Sequence, residues 1–527
     1  MIEFRRDGGS FIFIQRVIFN GDENMGYYEK YRPFGQKNKW LISVTMGFCL
    51  AIFIVTLGGC IFSNAYGMTP VLIIAIMGIT IALLFFVYRF FKQYSFKVQR
   101  YYWAIIGLGL GVLLITNIIC GYLLRYEPIF DLGAIYTGAI QWVETGNFME
   151  HINWTCDANY FYFFPNNLGG MTFLYVFFKT ASVFGIGDYY AVAIIANAIL
   201  TALTVLLTIL ICKKILGICE SLIALLCFLL FPPFYFMSAV FYTDALSLVF
   251  PILIIYIYLK FLETESKKGK VFYLLLIGIS CAVGMLVKFT VLIALIAAII
   301  HYSLNKGILR ALIVSAACAM LIIGVFAGFE RYMYANHLDE STAEKLRTPY
   351  SHWIMMSLAG DGRYNPQDYA FTRSFEDPNV RSKAIRAKIK ARIEEQGITG
   401  MLQLFYEKES LAFGDGTLAQ SDFLDDGPQH TTFLHKFLLY DSQYYEIYRY
   451  FASGIYFAFL FFACIAAYFS MKRKTANETL IPILCLCGIM MFLAFWEVTG
   501  RYATNYVPLL FLSAVHGLSR PPKNRIT

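Results

Sequence analysis

Residues 125–167 read RYEPIFDLGAIYTGAIQWVETGNFMEHINWTCDANYFYFFPNN and lie between long apolar segments. The only basic residue in the stretch is Arg125. Its acidic residues are Glu127, Asp131, Glu144, Glu150 and Asp157. The helical patterns within the stretch are too polar to cross a bilayer. We therefore expect this acidic loop to carry the chemistry of the protein.

The composition places the loop in a membrane protein. The chain has 527 residues, of which 58% are hydrophobic and 15% are charged, whereas a soluble protein carries about 25% charged residues. Apolar runs of about 20 residues match the hydrocarbon core of a bilayer. The sequence therefore predicts an all-α polytopic membrane protein. Its twelve cysteines show no zinc-type or disulfide-type spacing, so we expect neither a metal site nor a disulfide framework.

Twelve apolar segments are predicted to span the membrane: Trp40–Phe62, Thr69–Phe91, Tyr101–Leu124, Tyr189–Cys212, Leu216–Phe231, Ala245–Leu262, Val271–Val287, Phe289–Leu304, Gly307–Phe329, Tyr450–Met471, Thr479–Trp496 and Tyr502–Leu518. A thirteenth segment, Leu168–Phe184, is predicted to be short or re-entrant. The expected architecture is a bundle of 12 to 13 helices with a large acidic first external loop and a small extracytoplasmic domain.

The basic clusters orient this bundle, because short loops rich in Lys and Arg stay in the cytoplasm. They lie at Arg89–Arg100, Lys213–Lys214, Lys260–Lys270, Lys306–Arg310, Lys472–Lys474 and Arg520–Arg525. The predicted order is a cytoplasmic segment without signal-peptide features (1–39), three spans (40–124), the extracytoplasmic loop (125–167), a membrane core (168–329), an extracytoplasmic domain (330–449), the last spans (450–518) and a cytoplasmic tail (519–527). The net charge of +8 then indicates topology rather than nucleic-acid binding.

Two carboxylates are the leading candidates for chemistry on the external side. Asp131 follows Pro128 where a helical pattern begins, so it either caps that helix or acts as a general base at the membrane surface. Asp244 opens a span from the same side, and again either caps it or faces a polar pocket. Glu127 and Asp157 are weaker candidates for the same pocket.

Two cations on the same side are candidates for binding an anion. Lys288 interrupts an apolar stretch, and its side chain either extends to the membrane surface or binds a phosphate. Arg501 lies outside although positive charge is normally kept inside. Its partner is either Glu497, four residues earlier, or a phosphate that matches the planar guanidinium.

The 330–449 segment contains a predicted basic helix that Asp377 caps, Pro378 opens and Gly397 ends. Its basic face is either simply solvated or contacts lipid head groups or an anionic polymer. Upstream, His352 and Tyr364 lie among small turn residues. Aromatic groups in such a setting suit either sugar binding or loop packing, and His352 is the histidine that we include in the pocket.

The order of these motifs resembles the GT-C superfamily of integral-membrane glycosyltransferases, particularly the family 39-like proteins of Gram-positive bacteria and a branch found beside an exosortase-like protein. The motifs are FDLGAIYTGAI (130–140), YFYFFPNNLGG (160–170), the YTD of Tyr242 to Asp244, MLVKFT (285–290), PYSHWIMMSL (349–358), DGRYNPQDY (361–369) and GRYATNYVPLL (500–510). The resemblance implies transfer, with inversion, of a sugar from a polyprenyl-phosphate donor to a glycan, lipid or protein acceptor outside the membrane. It implies that Asp131 or Glu127 is the base and that Arg501 and Lys288 hold the donor phosphate.

Two other functions fit many spans with external charges. A flippase or transporter would move a lipid-linked glycan, but such proteins usually show internal repeats or charges at the membrane midplane. A ligase or polymerase would join glycans from a lipid pyrophosphate, which would suit the basic helix. The gathering of charges at one face favours the transferase. Its expected partners are the lipid-linked donor, the acceptor and membrane lipids, and the resemblance implies no required metal.

Overall fold

The computed structural model describes residues 39–63, 65–149, 159–425 and 427–519. Regular structure in these ranges is helical, and the pairing of Tyr126 with Pro428 is an isolated bridge. The prediction of an all-α protein is confirmed.

The first helices carry the N-terminal spans and the acidic loop. In chain order they are α1 (Lys39–Phe62), α2 (Pro70–Gln93), α3 (Ser95–Arg100), α4 (Tyr102–Leu123), α5 (Phe130–Thr145), α6 (Tyr160–Phe163), α7 (Leu168–Val183), α8 (Tyr189–Ile215) and α9 (Ile218–Leu230). The next are α10 (Thr243–Leu246), α11 (Val249–Glu263), α12 (Lys267–Val287), α13 (Leu292–Lys306) and α14 (Ile308–Asn336). Short 3-10 segments at Pro165–Asn167, Pro232–Tyr235, Met237–Ala239 and Phe289–Val291 interrupt them.

The remaining helices form the 330–449 segment and the C-terminal spans. They are α15 (Glu340–Leu346), α16 (Ser351–Ser357), α17 (Pro366–Arg373), α18 (Pro378–Phe413), α19 (Ser421–Leu424), α20 (His435–Leu438), α21 (Tyr445–Arg473), α22 (Leu480–Phe495) and α23 (Val507–Ser519). The 3-10 segment Gly500–Tyr506 joins α22 to α23.

Nine helices in the described part of the chain are long and apolar enough to cross a membrane. They match nine of the twelve predicted spans, with α10 and α11 counted as one helix and the 3-10 turn before α13 counted with it. The other three predicted spans are the shorter helices α9 and α22, of 13 and 16 residues, and the 13-residue α23. The protein is therefore a multi-pass membrane protein.

Burial separates the central helices from those that face lipid. The apolar window of the Thr243–Glu263 span is 78% buried and that of α21 is 72% buried, whereas the window of α14 is 6% buried. Helix α21 packs on α1, α2 and α23, and α11 packs on α8, α12 and α13. Since lipid takes the place of water here, the exposed apolar faces of α2 and α14 are suited to contact acyl chains.

The short helix α7 packs against three other helices, α5, α8 and α12. A Cβ at Gly169 would overlap the carbonyl oxygen of Leu286, at the end of α12. A Cβ at Gly170 would lie 2.9 Å from a methyl group of Thr243, in α10. Glycine is therefore needed for the close approach of α7 to two elements that carry charged residues.

The helix predicted in the 330–449 segment begins as expected but continues beyond its predicted end. Asp377 caps α18 by accepting hydrogen bonds from the amides of Asn379 and Val380, and Pro378 opens the helix. Gly397 interrupts it with φ 58 and ψ −170. The chain then resumes helical geometry as far as Phe413, so Gly397 makes a kink rather than an end.

Beyond the kink, the segment enters the membrane bundle. Every residue from Lys408 to Ser421 is buried, and the end of α18 packs on α1 and α22. The Glu409 carboxylate accepts a hydrogen bond of 2.9 Å from Thr56, six residues before the end of α1. This part of the 330–449 segment therefore belongs to the buried helical core, and the assignment of the segment to an extracytoplasmic domain stays a prediction.

Candidate functional site

The candidate site lies at one end of the bundle, where several helices break. Asp131 is in the first turn of α5, and Tyr242 and Asp244 are at the start of α10. Lys288 is the extended residue between α12 and the next 3-10 turn. Arg501 lies in the 3-10 segment between α22 and α23. The structure brings these five predicted residues together through the contacts described below.

Two tyrosines hold the Asp131 carboxylate. The Tyr160 hydroxyl donates to Oδ1 over 2.6 Å, and the Tyr242 hydroxyl donates to Oδ2 over 3.2 Å. The Asn167 amide donates to the Tyr160 oxygen, which leaves the phenolic proton directed at Asp131. The N-cap of α5 is Ile129, so the capping alternative for Asp131 is excluded. Its carboxylate is oriented by side chains, as a reactive group needs to be.

The backbone next to Asp131 is strained. Phe130 has a φ of 50, a left-handed conformation that is unfavourable for a bulky side chain. Such strain costs about 1–3 kcal/mol and persists where the surrounding structure imposes it, often at functional sites.

Asp244 joins the two predicted cations. Its carboxylate forms an ion pair with the Lys288 ammonium, and its Oδ2 lies 3.8 Å from Arg501 Nη1. Asp244 is only 5% exposed, and the N-cap of α10 is Tyr242, so capping is excluded here too. The three side chains sum to one excess positive charge. A buried excess charge is costly unless an anion compensates it, so this trio is suited to bind one.

Aromatic rings surround both cations. The Arg501 guanidinium lies 4.9 Å from the ring centre of Tyr242, 5.2 Å from that of Phe423 and 5.3 Å from that of Tyr502. The Lys288 ammonium lies 4.6 Å from the Tyr502 ring. Cation–π contacts hold the charged groups without neutralising them, so both cations stay available to an anion.

The titration of neighbouring groups changes the charge of the site. Burial raises the pKa of Glu497 to about 7, against the opposing effect of Arg501. Glu497 is therefore partly neutral near pH 7 and does not fully compensate Arg501. Burial lowers the pKa of Lys288, whereas the nearby Asp244 acts in the opposite direction.

Two other predicted site residues, Glu127 and His352, are not among the contacts described above. Glu127 is exposed and lines a separate cavity of about 600 Å³ beside residues 427–429. His352 is buried, and its Nδ1 lies 2.7 Å from the Thr372 hydroxyl. Burial lowers the pKa of His352 to about 4, so it is neutral at pH 7. Asp157 lies outside the described residues.

Three residues that contact the site were not predicted from the sequence as part of it: Tyr160, Asn167 and Phe423. Tyr160 and Asn167 belong to the YFYFFPNN motif, so the aromatic-amide pattern there was a usable signal. Phe423 lies in the short helix α19, and its ring centre lies 5.5 Å from that of Tyr242. Nothing near Phe423 in the sequence indicates that contact.

Two solved structures are similar to the chain. They are ArnT from Cupriavidus metallidurans bound to undecaprenyl phosphate, at 10% identity, and ArnT from the same organism in the apo state, at 13% identity. Each match covers 78% of this chain and 77% of the ArnT chain with a TM-score of 0.33. No curated protein matches the sequence. The function of the site is therefore inferred from the contacts, distances and charges of its own residues.

The helices and their membrane-length spans define a polytopic integral membrane protein with a polar site at the end of its bundle. The family described as conserved hypothetical integral membrane protein matches residues 38–520. The chain belongs to that family.

Proposed function

We propose that the protein is a membrane glycosyltransferase of the GT-C kind, which moves a sugar from a polyprenyl-phosphate donor to an acceptor hydroxyl. One observation carries this proposal. Tyr242 donates a hydrogen bond to Asp131 and packs its ring against the Arg501 guanidinium. A carboxylate suited to activate a hydroxyl is thereby one side chain away from a cationic site suited to a phosphate.

In the proposed reaction, the donor phosphate lies against Lys288 and Arg501. Asp131 takes the proton of the acceptor hydroxyl as the hydroxyl oxygen forms a bond to the anomeric carbon of the sugar. The bond between that carbon and the phosphate oxygen breaks, and polyprenyl phosphate leaves with the electron pair. A single displacement of this kind inverts the anomeric configuration.

The cations act on the charge that develops during the reaction. The donor phosphodiester carries one negative charge, and the departing phosphate carries a second. Preorganised cations in a site with little water stabilise such a change more strongly than they stabilise the ground state. Asp244 holds Lys288 and Arg501 in place, which makes it a positioning residue in this scheme.

The proposed compartment is the external face of the cell membrane. The support for this compartment is the set of basic clusters at the opposite ends of the spans. With those clusters in the cytoplasm, residues 125–167 and the start of α10 are expected to lie outside. The acceptor is then a glycan, lipid or protein of the cell envelope.

The test is transfer of radiolabel from polyprenyl-phosphate sugars by the full chain in lipid nanodiscs. A panel of hexose and pentose donors is offered with envelope fractions from a strain that lacks the gene. The wild type should label one fraction, and Asp131→Asn should lower kcat by about 10²–10⁴-fold, the contribution of a positioned base.

The matched control is Glu144→Gln, which changes an exposed carboxylate in the same helix, α5. It should leave transfer unchanged. If Asp131→Asn turns over like this control, Asp131 is not the base. If the wild type in sealed liposomes moves intact donor across the membrane without transferring its sugar, the protein is a flippase.

A further inference from the structure

A row of aromatic rings connects the protein surface to Asp131. The ring centres of Tyr364 and Tyr369 are 6.4 Å apart, and those of Tyr369 and Phe164 are also 6.4 Å apart. Phe164 is 5.3 Å from Tyr160, whose hydroxyl donates to Asp131. The outer three rings, those of Tyr364, Tyr369 and Phe164, have no role in the proposed reaction. They follow one another from the surface towards Tyr160, which binds the carboxylate.

The outer end of this row is held close to the site by the backbone. The Val498 amide donates to the Gly362 carbonyl over 2.9 Å, which ties the turn before Tyr364 to the loop that carries Glu497. The pKa of Tyr364 reflects this placement. Partial burial raises it first, followed by the charges of Tyr369, Glu497 and Asp131. Tyr364 is nevertheless 56% exposed, so its ring is accessible to a ligand.

Two of these rings, those of Tyr369 and Phe164, contact an arginine. The guanidinium of Arg373 lies 5.2 Å from the ring centre of Tyr369 and 5.7 Å from that of Phe164. The buried His352 ring lies 6.4 Å from Tyr369. A binding surface held by packed neighbours loses little conformational freedom when a ligand binds.

We propose that Phe164, Tyr364 and Tyr369 form an acceptor subsite that binds a sugar ring, so that the acceptor is a glycan. The inference rests on the proposed function and names the acceptor class for the same site. One face of a sugar ring presents C–H groups that pack on an aromatic ring, and its hydroxyls match the phenolic groups. A sugar packed on this row would present a hydroxyl towards Asp131.

The arginine next to the outer ring of the row does not require an anionic head group. Arg363, next to Tyr364, donates to the Asp361 carboxylate over 2.8 Å and is thereby compensated. A lipid acyl chain would fit poorly, because phenolic hydroxyls and this ion pair interrupt the apolar surface. A sugar ring, with alternating apolar and polar faces, fits both features.

The experiment measures acceptor kinetics with three envelope fractions from a strain that lacks the gene. These are polysaccharide freed of lipid and digested with protease, the lipid extract, and the deglycosylated protein. Radiolabelled polyprenyl-phosphate hexoses and pentoses are the donors, with the full chain in nanodiscs. Label should enter the polysaccharide. Tyr364→Ala should raise the acceptor KM about tenfold, the ratio that corresponds to about 1.4 kcal/mol, and leave the donor KM unchanged.

Two variants separate ligand contact from a structural effect. Tyr364→Phe keeps the ring and should raise the acceptor KM less than threefold. Tyr350→Ala removes a tyrosine of equal exposure, 56%, whose ring lies 6.2 Å from Trp353, and should have no effect. Label only in lipid or deglycosylated protein, or equal acceptor KM values for Tyr364→Ala and Tyr350→Ala, would overturn the subsite. Absence of transfer to all three fractions would instead overturn the proposed function.

Discussion

Replacing Asp244 by Asn should destabilise the protein and disable it in ways that can be separated. The side chains of Asp244 and Lys288 are 8% and 11% exposed, and their ion pair is the shortest charge contact in the trio. Removing one partner of a buried pair costs about 3–5 kcal/mol, because the other charge stays buried without compensation. Since both side chains retain some exposure, we expect a loss at the lower end, about 3 kcal/mol in the free energy of unfolding.

A second variant distinguishes this cost from a general loss of packing. In the double variant Asp244→Asn and Lys288→Met, no ammonium is left uncompensated, and the Met side chain can pack on the Tyr502 ring. The double variant should therefore recover most of the lost stability, although donor binding stays impaired because one phosphate ligand is missing.

The assay is chemical unfolding in mixed micelles followed by tryptophan fluorescence, together with the donor KM. Asp244→Asn alone should lower the free energy of unfolding more than the double variant does. A loss below about 1 kcal/mol for the single variant, or a double variant as unstable as the sum of the two single variants, would refute the view that Asp244 holds the cations.

Three further predictions follow from other contacts. Because burial raises the pKa of Glu497 from 4.5 to about 7, the folded protein retains a proton that the unfolded chain loses between those values. This contribution to the free energy of unfolding should therefore fall as pH rises from about 4.5 to about 7 and then level off, and Glu497→Gln should make the slope over that range shallower in a pH series of unfolding curves. Tyr242→Phe removes the hydroxyl that donates to Asp131 and keeps the ring against Arg501, so it should lower kcat about tenfold with an unchanged donor KM in steady-state assays. Gly169→Ala would drive a Cβ into the Leu286 carbonyl, and should cost more than about 3 kcal/mol of stability in thermal or chemical unfolding.

The components of the site were predictable because they obey local rules. A charged residue at the edge of an apolar segment needs a reason to be there, and this rule drew attention to Asp244 and Lys288. Asp131 was selected as a carboxylate where a helical pattern begins after Pro128, and Arg501 as a cation on the external side. The contacts among them were not predictable, since they join residues between 44 and 257 positions apart. The sequence suggested Glu497, four residues before Arg501, as its partner. The structure adds Asp244, which lies 257 positions away in the sequence.

The burial of the stretch from Lys408 to Ser421 could not be predicted from its sequence. Its FGDGT text is typical of a surface turn. In the structure Asp415 accepts hydrogen bonds from the amides of Thr417 and Ala419 and from the Thr417 hydroxyl, which satisfies the turn internally. A polar turn whose groups are paired can be buried at little cost, and composition does not reveal such pairing.

The basic helix before Gly397 gives a second example. Arg392 forms two hydrogen bonds with the carboxylate of Asp368, and Lys388 pairs with the same group. Arg381 is buried and donates to backbone carbonyls, including that of Phe375. Three of the six basic residues that precede Gly397 in this helix therefore stabilise the 330–449 segment itself. Their partners lie on neighbouring helices and are invisible in a helical pattern.

The anomeric configuration of the transferred sugar tests the central claim most directly. With a donor of known configuration, nuclear magnetic resonance of the purified product reports the new linkage. If Asp131 activates the acceptor for a single displacement at the carbon held beside Lys288 and Arg501, the linkage is inverted relative to the donor. A retained configuration would require a double displacement or a front-face substitution and would contradict a single displacement activated by Asp131.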